Sequence, residues 1–138
     1  MSTVPKAHVY YSPAHLTWVL LRDYQGQVNG SILCIKAGFL FDMASVPRIL
    51  NPIIQKFDLG TVAPLAHDYS YQRQGVLEDA YPPVSLTRRR VDVIFSNLMI
   101  SEGVRPWKRA VAFRAVRWFG WAAWKRKQRE PVKAVRGR

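Results

Sequence analysis

The sequence holds one cysteine, Cys34, among 138 residues. A single thiol closes no intramolecular disulfide, and with three histidines it cannot complete a closed Cys-rich zinc site, so a disulfide-stapled scaffold is excluded. Long hydrophobic runs are missing as well. The uncharged stretches at 37–41 and 118–124 fall far short of the roughly 20 residues that cross a bilayer, and no transmembrane segment is expected. The first 15 residues carry one lysine and no continuous apolar run, so no signal peptide is expected. Gly26, Gly30, Gly38 and Gly60 are scattered and make no phosphate-binding loop, which leaves nucleotide hydrolysis unsupported. Acid is scarce at one end: residues 1–104 carry 9 Lys+Arg against 8 Asp+Glu, but residues 105–138 carry 12 against Glu130 alone. The net charge of +12 therefore belongs to the C-terminal quarter. Such cationic ends bind anionic surfaces: acidic protein, nucleic acid or acidic lipid.

What is present suffices for a core, since 49% of the residues are apolar. Residues 15–24 favour a strand, and 25–30 supply turn chemistry before a second strand over 31–36. Asn29-Gly30 suits a type I′ hairpin turn, with Gln25-Gly26 as the alternative centre. Residues 37–41 continue the second strand, with a bulge or bend at Gly38. Pro47 favours a loop over 42–48, and 51–57 reads as a short helical turn. Thr61 offers an N-cap for a helix to about Gln74, with Pro64 tolerated in its first turn and Gly75 as its stop. Residues 78–85 read as a loop. Thr87 caps a further helix in which Val91, Ile94, Phe95, Leu98 and Met99 share one face, ended by Gly103. Pro106 opens a last helix running to about Arg129, rich in Trp, Lys and Arg, whose apolar side is expected to cover the sheet through Phe113, Val116 and Gly120. Gly120 is expected to allow a neighbouring element close. The fold class is α+β: an N-terminal β-hairpin or small antiparallel sheet on three helices, as one domain over 1–124 with a basic extension over 125–138.

Three blocks carry a resemblance: Ala37-Gly-Phe-Leu-Phe-Asp-Met-Ala-Ser-Val-Pro-Arg48, Leu65-Ala-His-Asp-Tyr-Ser-Tyr71, and Arg89-Arg-Val-Asp92 followed by Phe95 and Met99. In order and spacing, from about Trp18 to Gly120, the chain resembles a family common in bacteriophages and prophages, catalogued as domain of unknown function 1353. Phe41 departs from it, standing where the family usually places a small hydroxyl residue. The resemblance implies a phage or prophage origin and a polar cluster of Asp42, His67, Asp68, Tyr71 and Asp92. It assigns no activity. It also implies synthesis in the host cytoplasm followed by association with the virion.

The residues support part of that cluster, because on one helix His67, Asp68 and Tyr71 share a surface, and Arg88 and Asp92 are four apart on the next. A histidine beside a carboxylate suits a general base held in one tautomer. Carboxylates at Asp42, Asp68 and Asp92 suit a divalent cation. His67-Asp68-x-x-Tyr71 resembles the helix of secreted phospholipases in which His activates water and Asp holds calcium, without their disulfides or glycine-rich calcium loop. The alternative is a buried hydrogen-bond network with Arg48 or Arg88 offsetting a carboxylate. Ser45 lacks a nucleophile elbow and reads as a turn residue. At the other end, Trp121 and Trp124 followed by Lys125, Arg126, Lys127 and Arg129 form a partner-binding arm. It suits phage structural proteins or another acidic surface, with nucleic acid and peripheral membrane contact as further options. Two functions follow: an accessory protein of the phage tail or lysis region that binds through this arm, or a hydrolase centred on His67, acting on a cell-envelope or phosphate-containing substrate.

Overall fold

A computed structural model describes residues 5–12, 17–41 and 59–125. The loop expected over 42–48, with Asp42, Ser45 and Arg48, the helical turn over 51–57, and the tail with Arg126, Lys127 and Arg129 lie outside them.

Strands β1 (Val9–Ser12), β2 (Thr17–Leu20) and β5 (Leu40–Phe41) form an antiparallel sheet in the order β1-β2-β5. Strands β3 (Tyr24–Val28) and β4 (Ser31–Ile35) form a hairpin. Its turn is Asn29-Gly30, both at positive φ (52° and 83°), as a type I′ turn requires, while Gly26 lies inside β3. The single strand expected over 15–24 is two strands, because the chain leaves the sheet after Leu20 and re-enters at Tyr24 as the hairpin's first arm. Residues 37–41 do not prolong β4. Gly38, at φ 94°, turns the chain so that Leu40 and Phe41 pair with Val19 and Trp18 of β2. A small ladder, β6 (Val76–Leu77) and β7 (Val84–Ser85), occupies part of the expected loop.

Helix α1 spans Val62–Gln72, α2 Arg88–Ser101 and α3 Pro106–Phe119, with a short α4 over Trp121–Trp124. The α+β architecture is thus as expected. In α2 the Thr87 hydroxyl accepts the Arg90 N–H at 3.1 Å, and Val91, Phe95 and Met99 are buried on the face the periodicity marks. In α1 the expected cap is replaced. Thr61 makes no side-chain cap bond, and Glu102, at the end of α2, accepts the backbone N–H groups of Thr61 (3.0 Å), Val62 (3.3 Å) and Ala63 (2.8 Å). A carboxylate at this site satisfies orphan donors and meets the positive end of the helix dipole. Gly60, at φ 83°, makes room for it, since a Cβ there would collide with the Glu102 carboxyl. Glu102→Ala is expected to cost about 1–2 kcal/mol in chemical denaturation, the range of a lost N-cap; a loss within experimental error would show that water replaces the carboxylate.

The core has two parts. One lies between the strands and α1, around Leu20, Leu33, Ile35, Phe39, Phe41, Leu65 and Tyr69. The other lies among helices, with Ala63, Phe95, Met99, Ala112, Ala115 and Val116. Val116 therefore packs on α1 and α2, not on the sheet as expected. The small residues Ala112, Ala115 and Val116 fit α3 to the ridge of Phe95 and Met99.

Candidate functional site

α1 and α2 lie side by side, and their facing polar residues meet inside the molecule. His67 is 1% exposed and Asp92 is fully buried, and His67 Nε2 stands 2.8 Å from Asp92 Oδ1. The Tyr71 hydroxyl donates to the same oxygen at 2.7 Å. Arg117 Nη1, from α3, donates to Oδ2 at 2.7 Å, and Arg88 Nη1 lies 3.7 Å from it. An oxygen that receives Tyr71 and an Oδ2 that receives Arg117 define an ionised Asp92, so Nε2 carries the proton that points at Oδ1. Nδ1 faces Asp68 Oδ1 at 3.9 Å, so each ring nitrogen looks onto a carboxylate, an arrangement that favours the imidazolium. Phe95 and Tyr71 flank the imidazole, with ring centroids 4.6 and 4.2 Å away.

Arg88 also donates to the Tyr71 hydroxyl (3.3 Å) and to the carbonyls of Val116 (3.1 Å) and Arg117 (3.3 Å). It binds the end of α3 to the site. Gly120 lets that end approach: a Cβ would stand 2.7 Å from the Tyr71 hydroxyl and 3.1 Å from Arg88 Nη1. The close approach expected of Gly120 is therefore real, and what approaches is the polar cluster.

Burial, the largest influence on His67, disfavours its charged form, but the contacts with Asp68 and Asp92 and their charges outweigh it and hold the pKa above 6.5. For Asp92, burial pushes upward, and the hydrogen bond and charge of His67, with Tyr71 and Arg117, pull the pKa below 3.8. Burial and the neighbouring Asp92 push the Tyr71 phenol up. The stability contributed by His67 is complete below pH 6.5 and is lost as pH rises through its raised folded value. That from Asp92 is complete above pH 3.8 and is lost as pH falls through its depressed value. Thermal unfolding across pH should therefore show a plateau between these limits. His67→Gln should remove the alkaline shoulder and shrink the acidic one, because His67 leads the groups that depress Asp92; an alkaline shoulder unchanged in that variant would assign it elsewhere.

Of the expected site residues, the structure gathers His67, Asp68, Tyr71 and Asp92; Asp42 lies outside the described residues. Sequence reasoning missed Arg117, whose tie to Asp92 spans 25 positions and leaves no local spacing signal. Of the expected metal set, Asp92 is engaged by His67, Tyr71 and Arg117. Among the described residues no three His, Cys, Asp or Glu side chains are gathered closely enough to hold a metal ion. The described residues thus do not assemble a metal site, and no step below runs through one. Of the expected arm, Trp121 is exposed, but Trp124 is half-buried against the core, edge-on to Tyr71 with centroids 5.1 Å apart. No described helix is long and apolar enough to cross a membrane.

The chain is a small α+β domain with a buried carboxylate–imidazole pair between two helices, braced by a tyrosine and an arginine. The family model described as Protein of unknown function (DUF1353) matches residues 18–116, and the chain belongs to that family. Comparison with curated proteins and with solved structures gives no match.

Proposed function

We propose that the protein is a hydrolase in which His67, oriented by Asp92, is the general base, and that its substrate is a phospholipid ester of a cell envelope. The observation that carries this reading is the 2.8 Å contact between His67 Nε2 and Asp92 Oδ1. It fixes the ring so that above the raised pKa the basic nitrogen is Nδ1, on the Asp68 side of a fully buried side chain, and the reaction requires an opening that admits water to that edge. The imidazolium formed when Nδ1 takes a proton from that water is stabilised by Asp92 on one side and Asp68 on the other, while Tyr71 and Arg117 keep Asp92 ionised, so that it orients the ring and does not take the proton. The His-Asp-x-x-Tyr resemblance supports a phospholipid over other phosphate-containing substrates.

The test is release of fatty acid from phospholipid vesicles by the full chain, with and without added calcium. The rate should rise with pH through the raised pKa of His67, and His67→Gln should lose at least about 100-fold while still unfolding cooperatively. No release by the wild type under either condition, or an undiminished rate in His67→Gln, sinks the reading.

A second role is favoured by the aromatic side chains that α3 and α4 leave exposed: docking on an acidic partner, as an accessory component of a phage tail or lysis apparatus. Reversing Lys108, Arg114 and Lys125 to Glu should reduce co-purification with particles or with the lysis machinery; undiminished recovery would discard it.

A further inference from the structure

Trp107, Val111, Trp118 and Trp121 are exposed by 55, 43, 68 and 58%. At 100° per residue they fall within an arc of about 80°, and at 1.5 Å per residue the line from Trp107 to Trp121 is about 21 Å long. The line is unbroken across Gly120, because the Gly120 N–H bonds Val116 and the Trp124 N–H bonds Gly120 as in a helix. Arg114 and Lys125 stand in the same arc and Lys108 beside it, and residues 105–125 contain no acid. Lys108 Nζ and Lys125 Nζ lie 5.8 Å from the rings of Trp107 and Trp121, one ammonium at each end of the stripe. The opposite side of α3, at Ala112, Ala115 and Val116, is the part committed to the core.

We propose that this stripe is a docking surface for an anionic lipid bilayer, lying flat in the headgroup region. The proposal rests on the reading of α3 and α4 as a docking face and names its partner. Charge complementarity carries it. A helix lacking acid, with cations flanking an apolar line, matches a surface that is anionic outside and apolar beneath. Indole rings partition to that boundary, and the lysine stems reach past them to headgroup phosphates. A stripe of bulky, convex side chains suits a fluid partner that closes round each ring. An acidic protein would need a preformed pocket for each.

The experiment is co-sedimentation of the full chain with vesicles of phosphatidylcholine alone and with phosphatidylglycerol added, beside titrations with single-stranded DNA and poly-glutamate at the same salt. Binding to the anionic vesicles should exceed that to neutral ones by at least about 10-fold and weaken as salt screens the charges. Replacing Trp107, Trp118 and Trp121 together with Ser should lower it by at least about 10-fold. Exposed positions should leave the unfolding midpoint near that of the wild type. A second variant, Lys108→Glu with Arg114→Glu, checks the charge without touching the rings, and it too should bind less. Three results overturn the inference: no binding to anionic vesicles, undiminished binding in the folded Ser variant, or DNA or poly-glutamate bound more tightly than lipid. The last leaves the docking face standing with another partner, whereas no binding to any probe removes the face as well.

Discussion

Asp92→Ala is expected to destabilise the fold by about 3–5 kcal/mol, the cost of breaking a buried ion pair by removing one partner. The carboxylate accepts from His67, Tyr71 and Arg117 at once, at 2.8, 2.7 and 2.7 Å. Its removal leaves a buried imidazole proton and a phenol without an acceptor, and two guanidinium groups without their counter-charge. Domains of this size have total stabilities of roughly 5–15 kcal/mol, so the variant should be close to unfolding. Asp92→Asn preserves the shape but turns one amide N–H toward a donor, and should fall between the two. Urea denaturation decides the matter. A loss below about 1 kcal/mol for Asp92→Ala would mean that the cluster relaxes to water and that its geometry is not what holds the helices.

Phe95→Ala is expected to cost about 3–5 kcal/mol by deletion of a fully buried ring. Phe95 lies in the interhelical core with Ala63, Met99, Ala112 and Val116, and its ring centroid is 4.6 Å from that of His67. The substitution therefore does two things. It opens a cavity between α1, α2 and α3, and it thins the apolar wall beside the imidazole. Burial is what depresses the His67 pKa against the pull of Asp68 and Asp92, so water entering the cavity should move that pKa further up. Denaturation measures the first effect and proton-detected titration of the imidazole the second. Phe95→Leu, which keeps most of the volume, should cost less than about 1.5 kcal/mol and leave the titration in place.

Local features were legible in the sequence where a single element decides them. The face of α2 follows from apolar spacing, its start from Thr87 and the hairpin turn from Asn29-Gly30, because each depends on neighbours within a few positions. His67 and Tyr71 were legible as a pair for the same reason, four residues apart on one helix. Features that join distant elements were not. Glu102 caps a helix that starts 40 residues earlier, Leu40 returns to β2 past the whole hairpin, and Arg117 reaches Asp92 across 25 positions. Nothing in local propensity encodes them, since they exist only once the helices have packed. The last helix shows the same limit. Its composition announced both an apolar and a basic character, yet which tryptophans face outward was settled by where Ala112, Ala115 and Val116 found space.

Glu102 at the head of α1 and Asp92 at its middle are two fastenings on one rod, ten residues apart on α2. An extra residue inserted between them would swing one by about 100° relative to the other, so that only one fastening could close at a time. The same insertion in the connection between α1 and α2 would leave both in phase. Single-residue insertions should thus be rejected within 93–101, an outcome that an insertion scan reads directly from soluble yield.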